Sequence, residues 1–206
     1  MKPFENYVYE NFLKIQKKLE KINIELEFLP DTQSFFLFHE DFLKQYQKPP
    51  ILEYFYRFMR KRENILLEPN GEPLGGKWNY DEENRKFDKH HKKSWNFRLE
   101  KNEYAKEAEE YYNIKLPDFI PTTRSEALRI LEYFCQNHLA DFGRLEDAMY
   151  EADNYVHHSL LSTAINFGLL SPREVLDRAL SQKDIPLSSL EGFVRQILGW
   201  REYMYH

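Results

Sequence analysis

Residues 157–175 read HHSLLSTAINFGLLSPREV, and residues 191–204 read EGFVRQILGWREYM. The first stretch contains a helix start, Ser171-Pro172-Arg173-Glu174. Serine is a good N-cap, proline suits the first helical position, and a glutamate three residues after the cap completes a capping box. Ser188 and Glu191 repeat that spacing and predict another start. Leu190, Phe193, Val194, Ile197, Leu198 and Met204 then form the apolar stripe of a last helix. Thr123 and Glu126 supply a further capping box. Ala127, Leu128, Leu131, Phe134, Cys135 and His138 follow on one face. From about residue 122 onward the chain therefore reads as helical throughout.

Upstream the pattern is more mixed. Phe4 to Ile22 recur at helical spacing and predict a helix over 4–22. Ile24, Leu26 and Phe28 alternate with polar residues and predict a short strand, ended by Pro30-Asp31. Residues 41–47 suit a short helix. Pro49-Pro50 then precedes a helix over 51–62, with Ile51, Leu52, Phe55, Phe58 and Met59 on one face and Arg57, Arg60, Lys61 and Arg62 on the other. Ile65 to Leu67 suit a short extended piece. Asn70-Gly71 and Gly75-Gly76 are turn signals. Residues 77–100 are polar, basic and aperiodic, yet carry Trp78, Tyr80, Phe87, Trp95 and Phe97, which predict a linker packed on something. Residues 102–112 suit a charged helix.

Composition narrows the function classes. The chain has 206 residues, with 16 Phe, 14 Tyr, 3 Trp and only 7 Gly. So many aromatics can supply a core, and so few glycines argue against folds built on many tight turns. A single cysteine, Cys135, excludes an internal disulfide or a multi-cysteine metal site within these residues. No apolar run is long enough to span a bilayer, and the first residues lack the apolar core of a signal peptide. A reducing cytoplasm is the expected compartment, with no membrane partner. The net charge of −5 is unlike that of a generic nucleic-acid binder.

Few residues announce chemistry. There is no phosphate-binding glycine loop, nucleophile elbow or zinc-binding HExxH. His90-His91 sits among lysines, which repel a cation. Glu82-Glu83 and Glu109-Glu110 are adjacent rather than one turn apart, as solvated faces are. Cys135 on an apolar helix face reads as a core thiol. Two strings stand out. In His158-Ser159-Leu160-Leu161-Ser162, hydroxyls and backbone N–H groups gather near a helix start, where phosphate oxygens can be held. Spacing alone suits an ordinary capped helix equally well. In Arg195-Gln196-Ile197-Leu198-Gly199-Trp200-Arg201-Glu202, a helix presents Trp, Arg and Gln beside a small Gly. It could be a recognition face or a packed C-terminal helix.

Together with residues 51–86, ILEYFYRFMRKRENILLEPNGEPLGGKWNYDEENRK, these strings resemble the photolyase/cryptochrome superfamily. The branch they resemble is that of the prokaryotic iron–sulfur cryptochromes and deoxyribodipyrimidine photolyase-related proteins. The likeness covers nearly the whole chain, most weakly residues 88–120. It implies a mostly α chain: the C-terminal part of an α/β antenna domain over residues 1–76, an interdomain linker over 77–121, and the first helices of an all-α FAD-binding domain over 122–206. Family members are well over twice this length, so the resemblance implies a partial chain.

It also implies a function: light-dependent repair of ultraviolet photoproducts in DNA, or blue-light sensing, through FAD. The lesion is flipped out of the duplex to meet the flavin. By resemblance His158, Ser159, Leu160, Leu161 and Ser162 bind the FAD phosphate and ribityl region. Trp200 and Arg201 lie beside the flavin and the DNA-facing cavity, with Gln196 beside them. Relatives often carry Tyr before the acidic pair near the flavin phosphates; here Leu145 precedes Glu146-Asp147, one hydroxyl donor fewer. The parent family's iron–sulfur cluster and antenna chromophore are not expected in this chain. Two rival readings stand beside it. One is a non-catalytic helical nucleic-acid-binding module using Arg57, Arg60, Lys61, Arg62, Lys89, Lys92, Lys93 and Arg98. The other is one half of a split enzyme, partnered by a separately encoded remaining half.

Overall fold

The computed structural model describes residues 6–26, 34–83 and 95–206. Its elements are α1 (Asn6–Glu20), α2 (His39–Gln45), α3 (Leu52–Glu63), α4 (Glu103–Tyr112), α5 (Arg124–Asn137), α6 (Leu139–Leu145), α7 (Ser162–Asn166), α8 (Pro172–Leu180) and α9 (Leu187–Val194). The last helix continues from α9 as a π-helical segment, Arg195–Arg201, and ends as α10 (Glu202–Tyr205). The chain is mostly helical, and no β-strand is formed among the described residues. Residues 24–26 of the expected strand are irregular, and Phe28 lies outside the described residues. A lone alternating strand has no partner here to satisfy its backbone. The expected extended piece at 65–67 reduces to one antiparallel bridge, Leu67 to Pro73.

Helix starts follow their caps where the cap is genuine. Thr123 and Glu126 close a full capping box, and Ser171 accepts the Glu174 N–H at 3.1 Å, with Pro172 in the first turn. The Ser188–Glu191 start is not used. α9 begins two residues earlier, with Pro186 at the cap position, and Glu191 is buried instead of capping. Arg60 also departs from its expected place on a solvated face. It is buried, and its guanidinium donates to the carbonyls of Ile65 (3.2 Å), Trp78 (2.8 Å) and Leu66. The chain leaves α3 through Asn64, which adopts the left-handed conformation, and Arg60 ties the segment that follows back onto the helix. Trp78 lies under Arg60 and Lys61, so the linker is anchored at that ring. Leu128 and Met204, placed on apolar stripes by spacing, are exposed.

The core draws on residues from Leu37 to Leu198 and takes none from α1. Phe134, Phe142 and Phe193 meet with ring centroids 4.9 to 6.0 Å apart and join α5, α6 and α9. α6 and α9 cross at Gly143, where an added Cβ would lie 2.8 Å from the Ser188 carbonyl oxygen. Ser189 locks the crossing: its Oγ accepts the Gly143 N–H (3.1 Å) and donates to the Ala140 carbonyl (2.7 Å). α3 packs on the π-helical segment, where Gly199 leaves room for the Tyr56 ring. Residues on either side of segment 77–121, together with Trp95 and Leu99 within it, share one hydrophobic core.

Candidate functional site

The chain between α6 and α7 is irregular and is held by specific bonds. Asp153 Oδ1 accepts the N–H groups of Tyr155 and Val156, both at 3.1 Å, and turns the chain. Val156 and Leu160 both have positive φ, +44° and +55°. That conformation is unfavourable for a branched side chain and persists only where surroundings enforce it. One enforcing contact is Trp95, whose Nε1 donates to the His158 carbonyl at 3.1 Å. The Trp95 ring in turn stacks on His138, with centroids 4.3 Å apart.

This loop forms one wall of a cleft of about 450 Å³. His158, Ser159, Leu160, Leu161 and Ser162 all line it, continued by Ile165 and Asn166. The opposite wall comes from the last helix: Phe193, Gln196, Ile197 and Arg201, with Phe142 between. Gln196 and Arg201 are five residues apart, and in an α-helix they would diverge. The wider i→i+5 turn of the π segment brings Arg201 back to the side of Gln196. Trp200 does not line the cleft and is partly exposed. Of the residues singled out from sequence, seven therefore meet around one cleft, and Trp200 stands outside it.

The electrostatics follow from burial. His158 lies edge-on to Phe142, with centroids 6.2 Å apart, and burial lowers its pKa, keeping the imidazole neutral near pH 7. Arg201 donates to the Ser34 carbonyl at 2.6 Å, and its guanidinium lies 4.2 Å over the Phe35 ring. Gln196 Nε2 donates to Glu146 Oε1. Glu146 is almost fully buried, and burial pushes its carboxyl up to about 7, opposed by the nearby Arg195. Arg195 serves three carboxylates: Asp81 at 3.0 Å, Glu191 at 3.3 Å and Glu146 at 3.7 Å. Leu145 is buried and offers no donor.

The cleft combines the hydroxyls of Ser159 and Ser162, the amides of Asn166 and Gln196, and the Arg201 guanidinium with apolar walls. That donor set suits an elongated ligand with hydroxyl or phosphate oxygens along one side and apolar atoms along the other. No group of three metal-ligating side chains exists among the described residues. Asn166, Phe142 and Phe193 are lining residues that the sequence reading does not single out. Phe193 and Phe142 look like ordinary core positions, and only the fold turns one edge of them outward. Glu146 enters that reading only as the neighbour of Leu145.

A sequence model of deoxyribodipyrimidine photo-lyase-related proteins matches residues 1–124. The chain is 42% identical over 173 residues to a (6-4) photolyase of Agrobacterium fabrum, covering 77% of this chain and 33% of that protein. It is also 43% identical over 63 residues to an uncharacterized protein of Acanthamoeba polyphaga mimivirus, covering 28% of this chain and 47% of that one. The chain thus spans about a third of the length of the first relative and about half of the second.

Proposed function

The chain belongs to the deoxyribodipyrimidine photo-lyase-related protein family, and from that premise we propose that its cleft holds the phosphate and ribityl region of FAD. What supports this is one observation. Residues 158–162, Gln196 and Arg201, separated by more than thirty positions in sequence, border the same cleft. The donor chemistry fits: serine hydroxyls and an arginine suit phosphate and hydroxyl oxygens, and a neutral His158 adds a hydrogen-bonding group without charge. A cleft this size seats part of a dinucleotide and leaves the rest to other protein surface.

Bound FAD supplies the light-driven electron transfer of the family's chemistry. The chain's own residues bind and orient: Ser159, Ser162 and Asn166 hold oxygens, while Leu161, Ile165 and Ile197 exclude water on the apolar side. Trp200, partly exposed beside the cleft, belongs to a DNA-facing surface, where an aromatic face can stack on a base. The role proposed is that of a photolyase/cryptochrome-like flavoprotein segment in light-dependent DNA repair or blue-light sensing. The segment is not competent by itself, and further family sequence, as in a separately encoded half, completes the pocket. Cytoplasmic location is part of the same proposal; no helix among the described residues is long and apolar enough to cross a membrane. The rival nucleic-acid module loses Arg60, which is buried on backbone carbonyls and unable to reach a phosphate.

The test is a titration of FAD into the purified chain, followed by flavin fluorescence anisotropy. Weak, saturable binding that Ser162→Ala and Asn166→Leu reduce further is expected. Absence of saturable binding overturns the cleft assignment. A stoichiometric yellow flavin on the purified chain overturns the claim that the segment is incomplete.

A further inference from the structure

Gln196 is a cleft residue whose side-chain amide is hydrogen-bonded to a buried acid. Its Nε2 donates to Glu146 Oε1, and Glu146 lies behind the cleft wall rather than in it. An ionised carboxylate has acceptors only, so it faces the nitrogen end of the amide. The carbonyl oxygen of Gln196 is then turned toward the cleft. A protonated carboxyl has an O–H to donate, and the amide oxygen is the better partner for it. A half-turn about the last side-chain bond then presents the NH₂ group to the cleft instead.

We propose that Glu146 is a positioning residue that sets which end of the Gln196 amide faces the cleft, and so the polarity a ligand must offer there. This rests on reading the cleft as a ligand site. With Glu146 ionised, the cleft takes a ligand N–H or O–H at this point. With Glu146 protonated, it takes a carbonyl or phosphate oxygen. An imide-type edge, with N–H beside C=O, is served in both states.

The surroundings make both states accessible near neutrality. Arg195 approaches Glu146 Oε2 at 3.7 Å from the π segment, but it is shared with Asp81 and with Glu191 from α9. Asp147 adds a further negative charge next in sequence. Burial outweighs these neighbouring charges and pushes the carboxyl up to about 7.

The experiment follows the side-chain NH₂ signals of the nitrogen-15-labelled full chain between pH 5.5 and 8.5. The Gln196 pair is identified by its loss in Gln196→Met. A single titration of that pair with a midpoint near 7 is expected. The titration should vanish in Glu146→Gln and survive in Asp147→Asn. A Gln196 pair that does not move with pH overturns the proposal. So does one that titrates equally in Glu146→Gln. Should Glu146→Gln fail to fold, the wild-type and Asp147→Asn titrations still decide. The readout needs no ligand, so loss of FAD binding in the separate titration would overturn the cofactor reading alone.

Discussion

Glu202 takes the backbone N–H of Leu37, 165 residues earlier in the chain, at 3.2 Å. The same Oε2 accepts the Phe36 N–H at 3.1 Å. Around this bond the end of the last helix closes on segment 34–50. Tyr205 stacks on Phe35 with centroids 3.7 Å apart, Tyr203 donates to the Pro50 carbonyl at 2.9 Å, and His206 stacks on Phe42 at 4.4 Å. The carboxylate is fully buried and supplies the acceptor that two otherwise unpaired N–H groups need.

Removing that acceptor should be costly. Glu202→Ala leaves the buried Leu37 donor and the part-buried Phe36 donor without their acceptor, and is expected to lower unfolding free energy by about 1–3 kcal/mol. Glu202→Gln keeps an acceptor oxygen and removes a buried charge, so it should cost much less. Urea denaturation of both variants checks the ordering.

The pH dependence of stability should carry the same signature. Burial raises Glu202 to about 7, above the ordinary carboxyl value of 4.5, so between those pH values the folded state holds the extra proton. Its stabilising contribution is complete below pH 4.5 and is lost as pH rises through 7, by at most about 1.4 kcal/mol per pH unit. Buried His138, lowered to about 4 by burial and then by His157, acts in the opposite sense: its contribution is complete above pH 6.5 and is lost as pH falls through 4. The two slopes oppose each other between pH 4.5 and 6.5. Measured by urea midpoints, the stability of Glu202→Gln relative to wild type should therefore grow from pH 4.5 to 7. A difference that is constant with pH would contradict the assignment.

The crossing of α6 and α9 should be intolerant of any side chain. A Cβ at Gly143 meets backbone, which has no rotamer to move. Gly143→Ala is expected to cost about 1–3 kcal/mol by forcing the helices apart. Gly199→Ala should cost less, because its Cβ would meet the Tyr56 ring at 3.2 Å, and a ring can shift. Thermal unfolding of the two variants side by side tests the difference.

The cleft loop should loosen when its tether is cut. Trp95→Phe preserves an aromatic ring beside His138 but deletes the Nε1 donor to the His158 carbonyl. A loss of about 1 kcal/mol is expected, with faster amide hydrogen exchange confined to residues near 156–162. Unchanged exchange in that loop would show that the bond does not hold it.

Helices and genuine caps were legible because their determinants are local. Thr123 with Glu126 forms the capping box its spacing predicts; Ser171 accepts the Glu174 N–H as predicted, but the Glu174 carboxylate goes to Arg124 and not back to the cap. Ser188 with Glu191 has the same spacing and fails, because Glu191 gains more from Arg195 and the Tyr80 N–H than from capping. The expected strand at 24–28 is absent over 24–26, since alternation alone gives a strand nothing to pair with.

The helical class was legible in the sequence by itself from short-range pattern, and the family likeness from longer strings; the group 158–162 with Gln196, Trp200 and Arg201 was implied only by that likeness. Only the tertiary structure decided the rest. It buried Arg60, Glu146, Glu191 and Glu202, and it drew α3 onto the last helix across the linker. It also wound residues 195–201 as a π segment, so that Arg201 faces the cleft and Trp200 does not. The physical reason is that burial and helix phase depend on partners beyond the local turn, as with Glu202 and Leu37, 165 residues apart. A polar side chain carries no mark in sequence of whether water or a buried partner will satisfy it.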